Sequence, residues 1–143
     1  MQYQRFGERT QIRFESGDEF MSSLTAFTEH DSIAFAVFSG LGAVRRARIG
    51  YFNNETRQYD IHEFDEQFEL TSLIGNVALR DGKPFVHAHA GLARQDLSMI
   101  GGHVMELVVR PTIELWLRRE ATAVRRVPDE ESGLALLDLP VHL

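Results

Sequence analysis

The sequence contains no cysteine. Disulfides, thiolate metal sites and cysteine nucleophiles are therefore excluded within this chain, although the absence says little about compartment. It also lacks any apolar run near the roughly 20 residues needed to cross a bilayer. The opening, MQYQRFGERTQIRF, carries no apolar signal core. These two features lead to the expectation of a cytoplasmic protein with no membrane contact. No internal repeat, low-complexity tract or linker is visible. No serine sits in a nucleophile elbow. SGLGAV (Ser39 to Val44) is not a phosphate loop, because it lacks the following Lys-Ser/Thr and the wider glycine spacing. Nothing suggests a nucleotide or flavin. There is no Arg-Gly-Arg-Pro segment of the kind that lies in an AT-rich minor groove. A net charge of -6 sets the bulk field against nucleic acid and anionic membrane.

What is present suits one compact unit. The chain has 143 residues, 43% of them apolar and 25% charged, which predicts a single domain spanning 1–143 with a substantial core. Gln2 to Glu15 reads as one or two strands. A helix is predicted over about Asp18–His30: Ser16 and Asp18 can cap its start, and Phe20, Leu24 and Phe27 make one apolar face with Met21 beside it. Ile33 to Gly40 reads as a strand covered on both faces, ending in a glycine-rich turn at Ser39, Gly40 and Gly42. Further strands are expected at Ala43 to Phe52, Arg57 to Phe64 and Gln67 to Leu79. Gly75 within the last marks a bulge or a close backbone approach. Asp81-Gly82 predicts a hairpin turn into FVHAHAGLA. Gln95 to Gly102 reads as a loop closed by Gly101 and Gly102. His103 to Val109 is then a strand, Pro111 a break and IELWL another strand. Two short closing strands follow, at Thr122 to Arg126 and Leu134 to Leu137. About eight or nine strands against one helix make this an α+β fold with a mostly antiparallel sheet.

The chemistry concentrates in FVHAHAGLA. Side chains alternate faces along a strand, so His87 and His89 project to one side with Phe85 and Gly91. Val86, Ala88, Ala90 and Leu92 project to the other, which is core. The two imidazoles are about 7 Å apart at the backbone. If the strand that opens with His103 pairs beside this one, the third imidazole reaches the same point. Three imidazoles with an open fourth position suit zinc, and equally nickel, copper or iron. The bland alternative is histidines on the surface or hydrogen-bonded in the core, since His-x-His is also the spacing of any alternating strand. A metal-bound water would need a proton acceptor. Glu69, Asp96 and Glu106 are the candidates, with Glu106 directed away from His103 if its strand is regular. Arg45, Arg46 and Arg48 form one basic group. Arg118 and Arg119, with Arg125 and Arg126, form another. Strand alternation splits each group between faces, so a solvated mixed-charge surface outweighs a phosphate-binding patch. Trp116 in IELWL suits a core or a subunit interface equally.

The order of these pieces resembles a stand-alone prokaryotic member of the plants-and-prokaryotes-conserved (PPC) domain. The matching segments are Gly17-Asp18, SGLGAV, GYF (Gly50 to Phe52), FELTSLIGNV (Phe68 to Val77), DGKPFVHAHAGLA (Asp81 to Ala93) and GGHVMEL (Gly101 to Leu107). The resemblance implies a compact α/β unit that assembles as a homotrimer. It implies a metal ion, often zinc, on His87, His89 and His103. The resemblance leaves the biochemical role open, and the expectation drawn from it is a metal-binding module whose three-histidine site has room for a small ligand. DNA association as an oligomer, as in the AT-hook relatives of plants, is the alternative. A metal-dependent hydrolase or lyase is a third reading.

Overall fold

A computed structural model describes residues 1–140. Its elements are β1 (Gln2–Phe6), β2 (Arg9–Glu15), α1 (Phe20–His30), β3 (Phe35–Asn53), β4 (Gln58–Phe64), β5 (Phe68–Arg80), β6 (Lys83–Ala93), β7 (Met99–Arg119), β8 (Arg125–Pro128) and β9 (Ala135–Asp138). All nine strands join one sheet. Every pairing is antiparallel except the single parallel contact of β5 with β8 at Leu79 and Arg125. The fold is therefore mostly β with one helix, as the alternation of the sequence predicts.

The strands close on themselves. β3 pairs with β5, β5 with β6, β6 with the first part of β7, and β7 with β3 again. Closure removes sheet edges that would otherwise need covering. Inside lie Phe38, Leu73, Val77, Val86, Leu92, Val104, Leu107 and Leu115. α1 packs against β6 and β7 and buries Phe20, Leu24 and Phe27, the predicted stripe. Each such side chain contributes about 1.5–3 kcal/mol when fully buried.

Several boundaries depart from the sequence reading. The helix starts at Phe20, and its cap is Glu19, not Ser16 or Asp18. The Glu19 carboxylate accepts the amides of Met21 and Ser22 at 2.9 and 2.7 Å, and that of Leu107 at 3.3 Å. It thus satisfies orphan helix donors and ties the helix start to β7. Asp18 instead accepts the Glu15 amide at 2.9 Å, and the Ser16 hydroxyl donates to the Pro111 carbonyl.

Second, SGLGAV is not a turn. Ser39, Gly40 and Gly42 lie within β3, which runs unbroken for 19 residues and is bent by register shifts at Gly40/Gly42 and Gly42/Val44. At Gly42 φ is +154°, and an added Cβ would stand 2.2 Å from the Thr112 carbonyl oxygen. The glycine therefore permits a close strand crossing rather than a reversal.

Third, Pro111 does not break the chain, and Gly101 and Gly102 do not close a loop. All three lie in β7, 21 residues long. Val109 pairs with Val44 and Ile113 with Gly42, so Pro111 falls in a bulge, where no ladder amide is required of it. Gly101 and Gly102 pair with Gly91 and Ala90.

Candidate metal centre

β6 alternates as its sequence requires. Val86, Ala88, Ala90 and Leu92 are buried at 3, 0, 6 and 0% exposure, so His87 and His89 are driven to the opposite face. The third histidine arrives by register. With Ala93 opposite Met99 across a five-residue connection, His89 falls directly opposite His103, a placement that puts facing Cβ atoms about 4.5–5.5 Å apart. The three rings lie with centroids 5.2, 5.0 and 5.4 Å apart. One ring nitrogen from each falls within 4.8 Å of the others. Among the described residues no carboxylate belongs to this cluster.

The surroundings hold the His87 and His103 imidazoles neutral. Burial, with the charge of Arg126 and then the neighbouring histidines, pushes His87 down from its ordinary 6.5 to about 4. Burial, with His89 and Arg126, also lowers His103. Neutral imidazole is the metal-ligating form, so protons compete weakly at these two rings near neutral pH. The Nδ1 of His103 is buried without a hydrogen-bond partner, and the Tyr59 ring covers this histidine at 4.7 Å. An orphaned imidazole nitrogen among three converging rings fits a cation, since a purely structural histidine in this position would be expected to find a hydrogen-bond partner. The donor set is three nitrogens with no thiolate, and it suits a divalent transition metal.

Other strands complete the rim. Asn76 and Ile74 of β5 stand opposite His87 and His89, and Gly75 lets the β5 and β6 backbones approach closely between them. Arg126 of β8 reaches in from the C-terminal hairpin. Its Nη2 donates to Asn76 Oδ1 at 2.8 Å and lies 3.1 Å from His87 Nδ1, and its Nη1 donates to the Ala135 carbonyl at 2.9 Å. Neither Asn76 nor Tyr59 stands out in the sequence, and Arg126 reads there only as one member of a basic group. The available signal is strand parity: Asn76 is a polar residue inside the largely apolar β5, but parity acquires a direction only once neighbours are known, and the short β8, Arg-Arg-Val-Pro, offers no such contrast for Arg126.

The candidate proton acceptors lie elsewhere. Glu106 is 3.2 Å from Arg46 and 3.9 Å from Arg48. Asp96 sits in an exposed turn, accepting the Ser98 amide and hydroxyl at 2.9 and 2.6 Å. Glu69 is exposed opposite Ala93. Arg48 Nε is 3.0 Å from a Glu63 oxygen, an ion pair by distance whose N–H points off that oxygen. Arg118 pairs with Glu120 at 2.7 Å, Arg119 donates to the Asp31 carbonyl, and Arg45 is exposed.

The low basicity of His87 makes a pH prediction for metal-free protein. Between pH 6.5 and 4 the unfolded chain binds a proton at His87 that the folded chain does not, so stability falls as pH drops through this window and is unaffected above it. Allowing for the ring's partial exposure, the expected loss by pH 5.5 is about 1 kcal/mol relative to pH 7.5. Urea midpoints of metal-stripped protein at the two pH values measure it. An unchanged midpoint, or a loss that persists in full in His87→Gln, contradicts the assignment.

The fold and the cluster together define a small closed-sheet module with a three-histidine pocket able to hold a metal ion. Residues 1–119 match the Plants and Prokaryotes Conserved domain (PCC, the PPC domain above), and the chain belongs to that family. A solved PPC protein from Pyrococcus horikoshii is 33% identical, with 99% of this chain and 97% of that one covered and a TM-score of 0.88. A metal-containing protein from Archaeoglobus fulgidus is 32% identical, covering 97% and 99%, at a TM-score of 0.86. A candidate DNA-binding protein from Bacteroides thetaiotaomicron is 25% identical, covering 96% of each chain, at a TM-score of 0.93. No curated protein matches the chain.

Proposed function

We propose that this protein is a metal-binding module in which His87, His89 and His103 hold one divalent transition metal, with zinc the leading candidate, and leave a coordination position for a small ligand. The observation that carries this reading is the convergence of one ring nitrogen from each of the three histidines within 4.8 Å, beside a His103 Nδ1 that is buried without a hydrogen-bond partner. The relative from Archaeoglobus fulgidus, described as metal-containing, supports it. The test is the metal content of protein produced without a histidine tag, for which about one ion per chain is expected. A content far below that rejects the reading.

The same reading includes self-association as a trimer. Leu41, Ile74 and Trp116 are 58, 59 and 58% exposed on the outer sheet face. Trp116 therefore does not belong to the core. The register runs Trp116, Ser39, Ile74, His89 across four strands, so Trp116 and Ile74 lie in one row that ends at the histidines. Exposed rows of large apolar side chains mark interaction surfaces, and a second and third copy of the chain are the partners that the family resemblance implies. Wild-type protein is expected to sediment at three times 16.3 kDa. Trp116→Glu is expected to shift most of it to the monomer at micromolar concentration. A monomeric wild type, or a trimer indifferent to Trp116→Glu, would sink the assignment. The DNA-associated reading finds less support, because Arg46, Arg48 and Arg118 each face a carboxylate of the same chain.

A further inference from the structure

Arg126 is a half-buried cation with no carboxylate beside it. Among the described residues, neither it nor Arg80 is within ion-pair distance of an acidic group. Both guanidinium groups lie against the Phe85 ring, at 3.8 Å for Arg80 and 5.6 Å for Arg126. In a chain of net charge -6, Arg126 beside His87, with Arg80 across the Phe85 ring, makes this side of the histidine cluster locally positive. A guanidinium is seldom removed from water without a carboxylate partner or an anion to receive. Arg126 is also held in place, by Asn76 on one side and the Ala135 carbonyl on the other. It belongs to β8, beyond the residues that match the family.

The contact between Arg126 Nη2 and His87 Nδ1 cannot coexist with a metal on His87. If Nδ1 is the ligating atom, the metal takes the lone pair to which the guanidinium donates. If Nε2 ligates, a neutral ring carries its proton on Nδ1, which can then accept nothing. Either way, metal uptake releases one Nη2 N–H next to the ion, and cation faces cation. An anion that bridges the two resolves both problems.

We propose that the metal-loaded pocket binds a small oxyanion, a carboxylate or phosphoryl group, held jointly by the metal and by the Arg126 guanidinium. This rests on the metal-binding reading above and names the ligand class of that site. Planar guanidinium matches the geometry of both groups and gives shorter, stronger hydrogen bonds than a neutral donor.

The test uses the full chain loaded with cobalt(II), whose visible absorption reports both loading and a change in coordination. Acetate and inorganic phosphate are titrated separately at constant ionic strength. Wild-type protein is expected to show a saturable spectral change with at least one of them, and which one responds distinguishes a carboxylate from a phosphoryl ligand. Arg126→Met is expected to load cobalt at least as tightly, because the competing N–H is gone, and to bind the anion at least about tenfold more weakly. Arg126→Lys, which keeps the charge but loses the planar fork, is expected to fall between the two, and it carries the comparison if the Met variant fails to fold. Equal anion affinity in wild type and both variants overturns the proposal while leaving the metal site standing, as does a loaded wild type that responds to neither anion. Failure of wild type to load cobalt overturns both.

Discussion

His103→Ala is expected to lower bound metal from about one ion per chain to near zero and to weaken affinity by roughly 100-fold or more. The reason is geometric. His87 and His89 come from one strand, and only His103, paired opposite His89, supplies a ligand from a second. Two imidazoles on one strand form a weak surface chelate, whereas a third across the ladder makes a pocket that can compete with water. The fold should tolerate the loss, because the His103 side chain is half-buried and its Nδ1 has no hydrogen-bond partner to strand. Calorimetric titration of zinc measures the affinity. Thermal denaturation gives a second readout, since a ligand at 1,000 times its Kd raises stability by about 4 kcal/mol. That zinc-dependent rise in Tm should disappear in His103→Ala while the metal-free Tm changes little. Full metal content in the variant would show that these histidines are not the ligands.

Gly75→Ala is expected to cost about 3 kcal/mol or more of stability. A Cβ at this position would lie 2.1 Å from the His87 carbonyl oxygen and 2.4 Å from Phe38 Cζ. The phenyl ring can turn, but the backbone oxygen cannot retreat unless β5 and β6 separate. That separation would also move His87, so metal affinity should fall together with stability. Gly82→Ala provides the contrast. Its φ is +77°, with nothing within 4 Å of the added carbon, so only backbone strain applies, at about 1 kcal/mol. Urea denaturation of both variants separates them. If Gly75→Ala lost no more than Gly82→Ala, the close approach of the two strands would not be a constraint on this fold.

The site was legible in part because its information is local. FVHAHAGLA displays its own parity: an apolar set at Val86, Ala88, Ala90 and Leu92 must be core, and the intervening histidines must then share the other face. The helical stripe of Phe20, Leu24 and Phe27, and the Asp81-Gly82 hairpin, are equally local. Glu19 is not marked as the cap by any local pattern, because its second task, accepting the Leu107 amide, depends on a strand 88 positions away.

The sequence by itself therefore determined most of the strand and helix pattern, the buried face of β6 and the placement of His87 and His89 together on its other face. Short-range periodicity carries these, whereas His103 joins the pair only through the register of β7 against β6. Tertiary structure alone decided what long-range register controls. SGLGAV and the Pro111 region became bends in two long strands because their partners cross there. Trp116 went to the surface because the pairing of β7 with β3 assigned its face. Asn76, Tyr59 and Arg126, from three strands distant in sequence, were gathered around the histidines. No local pattern foretells this, because a polar residue in a strand has a direction of its own but acquires neighbours only when the sheet closes.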